Sequence, residues 1–173
     1  MTERSGIVTF GGRPVTLLGR ELKVGEPAPD FELTGNDLQP VRLADFRGKT
    51  LVILSLPSLD TPVCDLETRR FNAEAERLSL NVAVLAVSMD LPFAQKRWCG
   101  VAGISRVLTA SDYRQASFGN AYGVLIKEYR LLARAVFVID RDGVLRYQQI
   151  VPEAGKEPDY ESVLAAIRSL KGG

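Results

Sequence analysis

Histidine is absent from the 173 residues, and cysteine occurs only twice. Without histidine there is no Ser-His-Asp triad, no Cys-His dyad and no His-ligated metal. Two cysteines alone cannot complete a zinc or iron–sulfur ligand set. A surplus of one charge is also lacking: 22 Lys and Arg face 21 Asp and Glu, a net of +1. So even a balance leaves no electrostatic footprint for nucleic acid or an anionic membrane. Long apolar runs are missing as well. The longest clean one, Val82 to Val87, falls far short of the ~18 residues that span a bilayer. The opening, Met1 to Gly6, has no signal-peptide apolar stretch. These absences lead to the expectation of a cytoplasmic protein, and in that compartment stable structural disulfides are rare. Two cysteines there are either inert core residues or redox-active ones.

What is present is ordinary for a globular chain: 46% hydrophobic and 25% charged residues. The length suits one domain over residues 1–173, large enough to build a core without staples. Ile7 to Phe10 and Pro14 to Leu18 read as a hairpin around Gly11-Gly12-Arg13. Residues 31–33 and 41–43 read as short strands around Gly35-Asn36-Asp37. Leu51 to Leu56 is a short apolar run of the kind buried on both faces of a sheet. Residues 62–80 carry helical periodicity, with Val63, Leu66, Phe71, Ala75 and Leu78 on one face. Val82 to Ser88 is a second buried strand, and a shorter helix is expected from Leu91 to Trp98. A strand over Val107 to Thr109 and a helix over Ala116 to Tyr122 follow. Ala135 to Ile139 reads as strand, Asp140 to Gly143 as turn, and Val144 to Ile150 as strand. Tyr160 to Leu170 is an amphipathic helix, and Gly172-Gly173 a frayed end. This order is an α/β plan, in which ligand sites sit at the carboxyl ends of buried parallel strands.

The segment after Leu56 is therefore the first place to look for chemistry. It runs Pro57-Ser58-Leu59-Asp60-Thr61-Pro62-Val63-Cys64. Thr61 is a good N-cap and Pro62 a good first helical residue. Cys64 then falls in the first helical turn, where free backbone N–H groups and the helix dipole favour an anion. Leu59 and Val63 supply a dry wall, and Pro57 stiffens the loop. Cys64 as a small core residue fits the same pattern, since free cysteine is among the most buried residue types.

Pro-x-x-x-Thr-x-x-Cys after a buried strand resembles the active-site signature of the peroxiredoxins. Ser88-Met89-Asp90-Leu91-Pro92-Phe93-Ala94-Gln95-Lys96-Arg97-Trp98-Cys99-Gly100 is similar to the second-cysteine segment of bacterial thiol peroxidases, the atypical two-cysteine branch of that family. Ala133 to Asp140 resembles the strand bearing the family's active-site arginine. The opening hairpin and Glu157-Pro158-Asp159-Tyr160-Glu161 fit too, so the resemblance spans nearly the whole chain.

It implies a thioredoxin-like α/β fold in its peroxiredoxin variant, with an N-terminal β-hairpin. It implies a peroxidase acting on hydrogen peroxide and organic hydroperoxides. Cys64 would be the peroxidatic cysteine and Cys99 the resolving one, joined in an intramolecular disulfide. Thr61 would hydrogen-bond the thiolate and the peroxide. Arg134 would hold the thiolate, and Pro57 would shield the sulfenic acid. Thioredoxin would be the reductant, with no flavin, haem or metal bound, and the chain would form a homodimer. On pattern alone other readings stay open: Arg134 as a solvent-facing strand-end residue, Thr61 as a cap only, Cys99 as core. A redox sensor or holdase using the same cysteine pair is an alternative function, separated by turnover. A dithiol oxidoreductase is disfavoured because Cys-x-x-Cys is absent.

Overall fold

The computed structural model describes residues 1–78 and 81–170. In chain order the strands are β1 (Glu3–Phe10), β2 (Arg13–Leu18), β3 (Glu32–Gly35), β4 (Pro40–Arg42), β5 (Thr50–Ser55), β6 (Val82–Ser88), β7 (Val107–Ser111), β8 (Leu125–Ile126), β9 (Ala135–Ile139) and β10 (Leu145–Ile150). The helices are α1 (Pro62–Arg77), α2 (Pro92–Ala102), α3 (Ser117–Ala121) and α4 (Tyr160–Ser169). Seven strands form the main sheet in the order β10-β9-β5-β6-β7-β3-β4. Its centre, β5-β6-β7, is parallel. β9 runs antiparallel to β5, with Ala135 opposite Ser55. That direction places the start of β9 beside the end of β5.

The apolar runs are continuous because both sheet faces are covered. Alternate residues point to opposite faces. Val52, Leu54, Val84, Ala86, Val136 and Val138 pack with Phe71 and Ala75 of α1 and Val163, Leu164 and Ile167 of α4. Leu51, Ile53, Leu85, Val87 and Phe137 pack the other way, against Val8, Val15 and Leu17 of the hairpin and against Phe118 and Tyr122. The Phe118 and Tyr122 rings stack at 4.5 Å.

The hairpin turn has two residues, Gly11 and Gly12, both with positive φ (+58° and +79°), as a tight turn matched to strand twist requires. β1 starts earlier than its apolar residues indicate, and a bulge between Ser5 and Val8 interrupts its pairing. The hairpin is tied to the loop after β10. Thr9 N–H donates to the Pro152 carbonyl (2.8 Å), and Ala154 N–H donates to the Thr9 carbonyl (3.0 Å).

Two helix ends and one short strand differ notably from the sequence reading. α1 ends at Arg77, and Leu78 is extended (ψ 161°). The chain has to leave the helix there, because Thr50 N–H already donates to the Asn81 carbonyl at the head of the β5–β6 ladder. Residues 79–80, the expected helix end, and Gly172-Gly173, the expected frayed end, lie outside the described residues. α2 continues past Trp98 and through Gly100. It stops at Gly103, whose left-handed backbone (φ +67°) closes the helix. β8, only two residues long, pairs with β2 and carries no periodicity to read.

Candidate active site

The site forms where β5 ends, α1 begins and β9 begins. Pro57 and Leu59 are buried in the connecting loop. Asp90 fixes that loop. Its carboxylate accepts from the Ser58 hydroxyl (2.7 Å), the Leu59 N–H (2.8 Å) and the Ser88 hydroxyl (2.7 Å). The buried Gln95 of α2 donates to Ser88 Oγ (3.0 Å). One polar network thus joins the loop before Cys64 to the helix that carries Cys99.

Thr61 caps α1 as expected, its Oγ1 accepting from Cys64 N–H at 3.3 Å, with Pro62 next in line. The Thr61 hydroxyl donates to the Ser58 carbonyl (3.0 Å). In this state its proton is therefore directed away from the sulfur.

Cys64 is fully buried at the first turn of α1. Arg134, the residue before β9, is also buried, so it is not a solvent-facing strand-end arginine. Its Nη2 donates to Cys64 Sγ at 3.1 Å. Nη1 donates to Glu67 Oε2 at 2.6 Å. Nε and Nη2 both donate to the Ala154 carbonyl (3.0 and 2.8 Å). Three bonds, one to Glu67 and two to Ala154, therefore aim the guanidinium at the sulfur. Burial opposes its charge, but Cys64 and Glu67 more than offset this and hold the Arg134 pKa above its ordinary value.

Glu67 has no counterpart in the sequence reading. It lies three residues after Cys64, on the same helix face, and it is fully buried. An acidic residue within the apolar stripe of α1 was the available signal. Burial pushes its carboxyl up to about 7, Arg134 pulls it down, and Glu157 adds a smaller upward push. Among the described residues its Oε1 has no hydrogen-bond partner.

Cys99 stands apart. It sits in the C-terminal half of α2, half-buried, with Sγ 3.4 Å from Thr109 Oγ1 of β7. Both cysteines are free thiols. The structure thus brings Thr61, Cys64 and Arg134 together, keeps Pro57 in the buried loop that precedes them and leaves Cys99 on a separate helix. Trp98, beside Cys99, reaches back to the site. Its Nε1 donates to Asp65 Oδ1 at 2.9 Å, and Arg69 lies 5.9 Å from its ring. Among the described residues there is no cluster of three or more His, Cys, Asp or Glu suited to a metal ion, and no helix is long and apolar enough to cross a membrane.

A buried cysteine at a helix start, held by an arginine that precedes β9, lies at the end of β5 within a mixed sheet of thioredoxin-like fold. The Redoxin family model matches residues 23–164. A thiol peroxidase of Oceanobacillus iheyensis is 56% identical over 160 residues, covering 92% of this chain and 97% of the relative. The Bacillus subtilis thiol peroxidase is 53% identical over 163 residues, covering 94% and 97%. Among solved structures, a peroxiredoxin-like protein from Aquifex aeolicus superposes with a TM-score of 0.89 at 44% identity, over 96% of this chain and 98% of that one. A thiol peroxidase from Chromobacterium violaceum superposes at 0.84 with 20% identity, over 94% and 95%, and shares the fold. The chain belongs to the Redoxin family, and it is a peroxidase enzyme of the peroxiredoxin type.

Proposed function

We propose that the chain, acting as one domain over residues 1–173, reduces hydrogen peroxide and organic hydroperoxides through a Cys64 sulfenic acid. It is then recycled by thioredoxin through a Cys64–Cys99 disulfide. The observation that carries this reading is the 3.1 Å contact from Arg134 Nη2 to Cys64 Sγ in a buried site. A cation at that distance favours thiolate over thiol and stabilises charge that moves onto the peroxide oxygens.

The thiolate attacks one peroxide oxygen. An S–O bond forms, the O–O bond breaks, and the sulfur gives up two electrons. The second oxygen takes a proton and leaves as water or an alcohol, and Cys64 becomes a sulfenic acid. Thr61 orients the peroxide by turning its hydroxyl from Ser58 toward the incoming oxygen. Pro57, buried in the loop before α1, limits access of a second peroxide. The Cys99 thiol then attacks the sulfenic sulfur, an S–S bond forms and water leaves. Thioredoxin supplies two thiols, takes up the disulfide and restores both cysteines.

The two cysteines lie in separate helices, and a disulfide needs its Cα atoms within ~7 Å. On this reading the first turn of α1 and the segment around Cys99 open during resolution. The active form is a homodimer in the cytoplasm, a reading supported by the resemblance to thiol peroxidases. The deciding assay is steady-state peroxide consumption with thioredoxin and its reductase, using wild type, Cys64→Ser and Cys99→Ser. Sustained turnover is expected to vanish in Cys64→Ser and to lose its thioredoxin coupling in Cys99→Ser. A single stoichiometric oxidation in the wild type would instead favour a redox sensor.

A further inference from the structure

Three charged or ionisable groups meet in one dry place. Arg134 bonds Cys64 Sγ with one terminal nitrogen (3.1 Å) and Glu67 Oε2 with the other (2.6 Å). All three side chains are buried. If Cys64 and Glu67 were both ionised, two anions would share one cation, leaving a buried excess of one negative charge. If both were protonated, the guanidinium would stand alone. Either state is costly away from water. One proton between the two acids makes the set neutral.

We propose that Cys64 and Glu67 share a single proton across Arg134, so the carboxyl is protonated when the sulfur is a thiolate and ionised when it is a thiol. The exchange breaks an S–H bond and makes an O–H bond. Total charge and oxidation state do not change. Glu67 acts through Arg134 and is a positioning residue, since it does not touch the peroxide.

The other groups facing Glu67 agree with this. Tyr160 of α4 is near, but its hydroxyl donates to Glu157 Oε1 at 2.7 Å and is not free for Glu67. Glu157, in the loop before α4, adds negative charge and favours the protonated carboxyl. Arg70 of α1 lies over the Tyr160 ring (4.2 Å to its centroid). Burial already pushes the Glu67 carboxyl up to about 7, so it is able to hold the proton near neutral pH. Two groups coupled this closely titrate as a pair. Glu67 thereby limits how far Arg134 can favour the thiolate, because every thiolate formed needs a carboxylate neutralised.

This inference rests on Cys64 as the reactive thiol, but its test needs no turnover, so its failure is separate from failure of the peroxidase reading. The reduced protein is titrated by the ultraviolet absorbance of its thiolate. Glu67→Gln keeps the size and the oxygen that Arg134 grips, and it cannot ionise. The midpoint assigned to Cys64, by difference from Cys64→Ser, is expected to fall by ~1 pH unit in Glu67→Gln. An unchanged or higher midpoint would overturn the proposal. A second measurement needs no change at Glu67. In the wild type the infrared carbonyl band of a protonated carboxyl should be present at pH values where the thiolate absorbs. In Cys64→Ser that band should disappear at lower pH, because Arg134 then serves Glu67 alone. A thiolate signal with no such band in the wild type, or an unmoved band in Cys64→Ser, would refute the sharing.

Discussion

Arg134 donates to the Cys64 sulfur, the Glu67 carboxylate and the Ala154 carbonyl. Lysine would bring one compact ammonium to these three acceptors and would lose the planar fork. Arg134→Lys is expected to slow the reaction of Cys64 with peroxide by ~10²–10³-fold in single-turnover measurements. Arg134→Met also strands the buried Glu67, a loss of about 3–5 kcal/mol by analogy with other broken buried pairs. Denaturant unfolding of Arg134→Met with Glu67→Gln should recover part of that loss, because no lone carboxylate remains. The pH dependence of stability has a definite sign. Burial pushes the Glu67 carboxyl in the folded protein up to about 7, above its ordinary 4.5. Its neutral form is favoured on folding, so its contribution is full below about 4.5 and is lost as pH rises through about 7. The amount is on the order of 3 kcal/mol. Between pH 5 and pH 8 the melting temperature of the wild type is therefore expected to fall by several degrees more than that of Glu67→Gln. At this scale much of the site was legible in the sequence. Pro57, Thr61 and Cys64 occupy a loop-to-helix pattern with a physical reading, and Arg134 entered through resemblance. Glu67 was missed: its place within the apolar stripe of α1 turns it inward, but a carboxylate on a helix is ordinarily solvated, and its partner Arg134 lies far away in the chain.

Among the elements, α1 and α2 are held together close to the sulfur. Asp65 accepts Trp98 Nε1–H with one oxygen and Arg69 Nε–H with the other (both 2.9 Å), and Arg69 Nη1 reaches the Ala102 carbonyl (3.3 Å). On the proposed mechanism these bonds are released before Cys99 reaches Cys64. Trp98→Phe keeps an aromatic ring and removes the N–H donor. Losing a hydrogen bond to a charged group is worth about 1.5–3 kcal/mol. Quenched-flow thiol alkylation should accordingly show disulfide formation faster by roughly tenfold or more in Trp98→Phe. Pro62 stiffens the same turn from the other side, and Pro62→Gly is expected to speed disulfide formation as well. In the wild type, Trp98 is the single tryptophan, so its fluorescence should change on oxidation. The apolar runs revealed that strands exist, but they carry no sign of direction. The antiparallel course of β9, which places Arg134 beside the end of β5, is decided by the chain's path across the sheet. Helix ends were legible where a cap residue marks them, as at Thr61. The end of α2 was misread at Trp98, since the helix runs on through Gly100, and glycine inside a helix weakens it without stopping it.

At the scale of the whole molecule, the sheet separates two packed cores. One includes α1 and α4, with Trp98 and Ile104 packed against it, and the other includes the hairpin and the Phe118–Tyr122 stack. Opening is therefore expected on one face only. Hydrogen exchange on the oxidised protein should show faster exchange at residues 61–67 and 92–102. The β5, β6 and β9 amides should keep their protection, as should β1 and β2. Loss of protection across the sheet would mean global loosening instead of a local switch. The α/β plan was legible from the spacing of apolar runs, whereas the second sheet of β1, β2 and β8 was only half visible as a hairpin. Ala154 joins the two halves of this architecture. Its amide is gripped by Thr9 and its carbonyl by Arg134. The hairpin and the guanidinium are thus links in one mechanical train. A sideways pull or a nick at the Gly11–Gly12 tip would be felt first as a misaimed cation, so damage there would dull the thiol before it unfolded the protein.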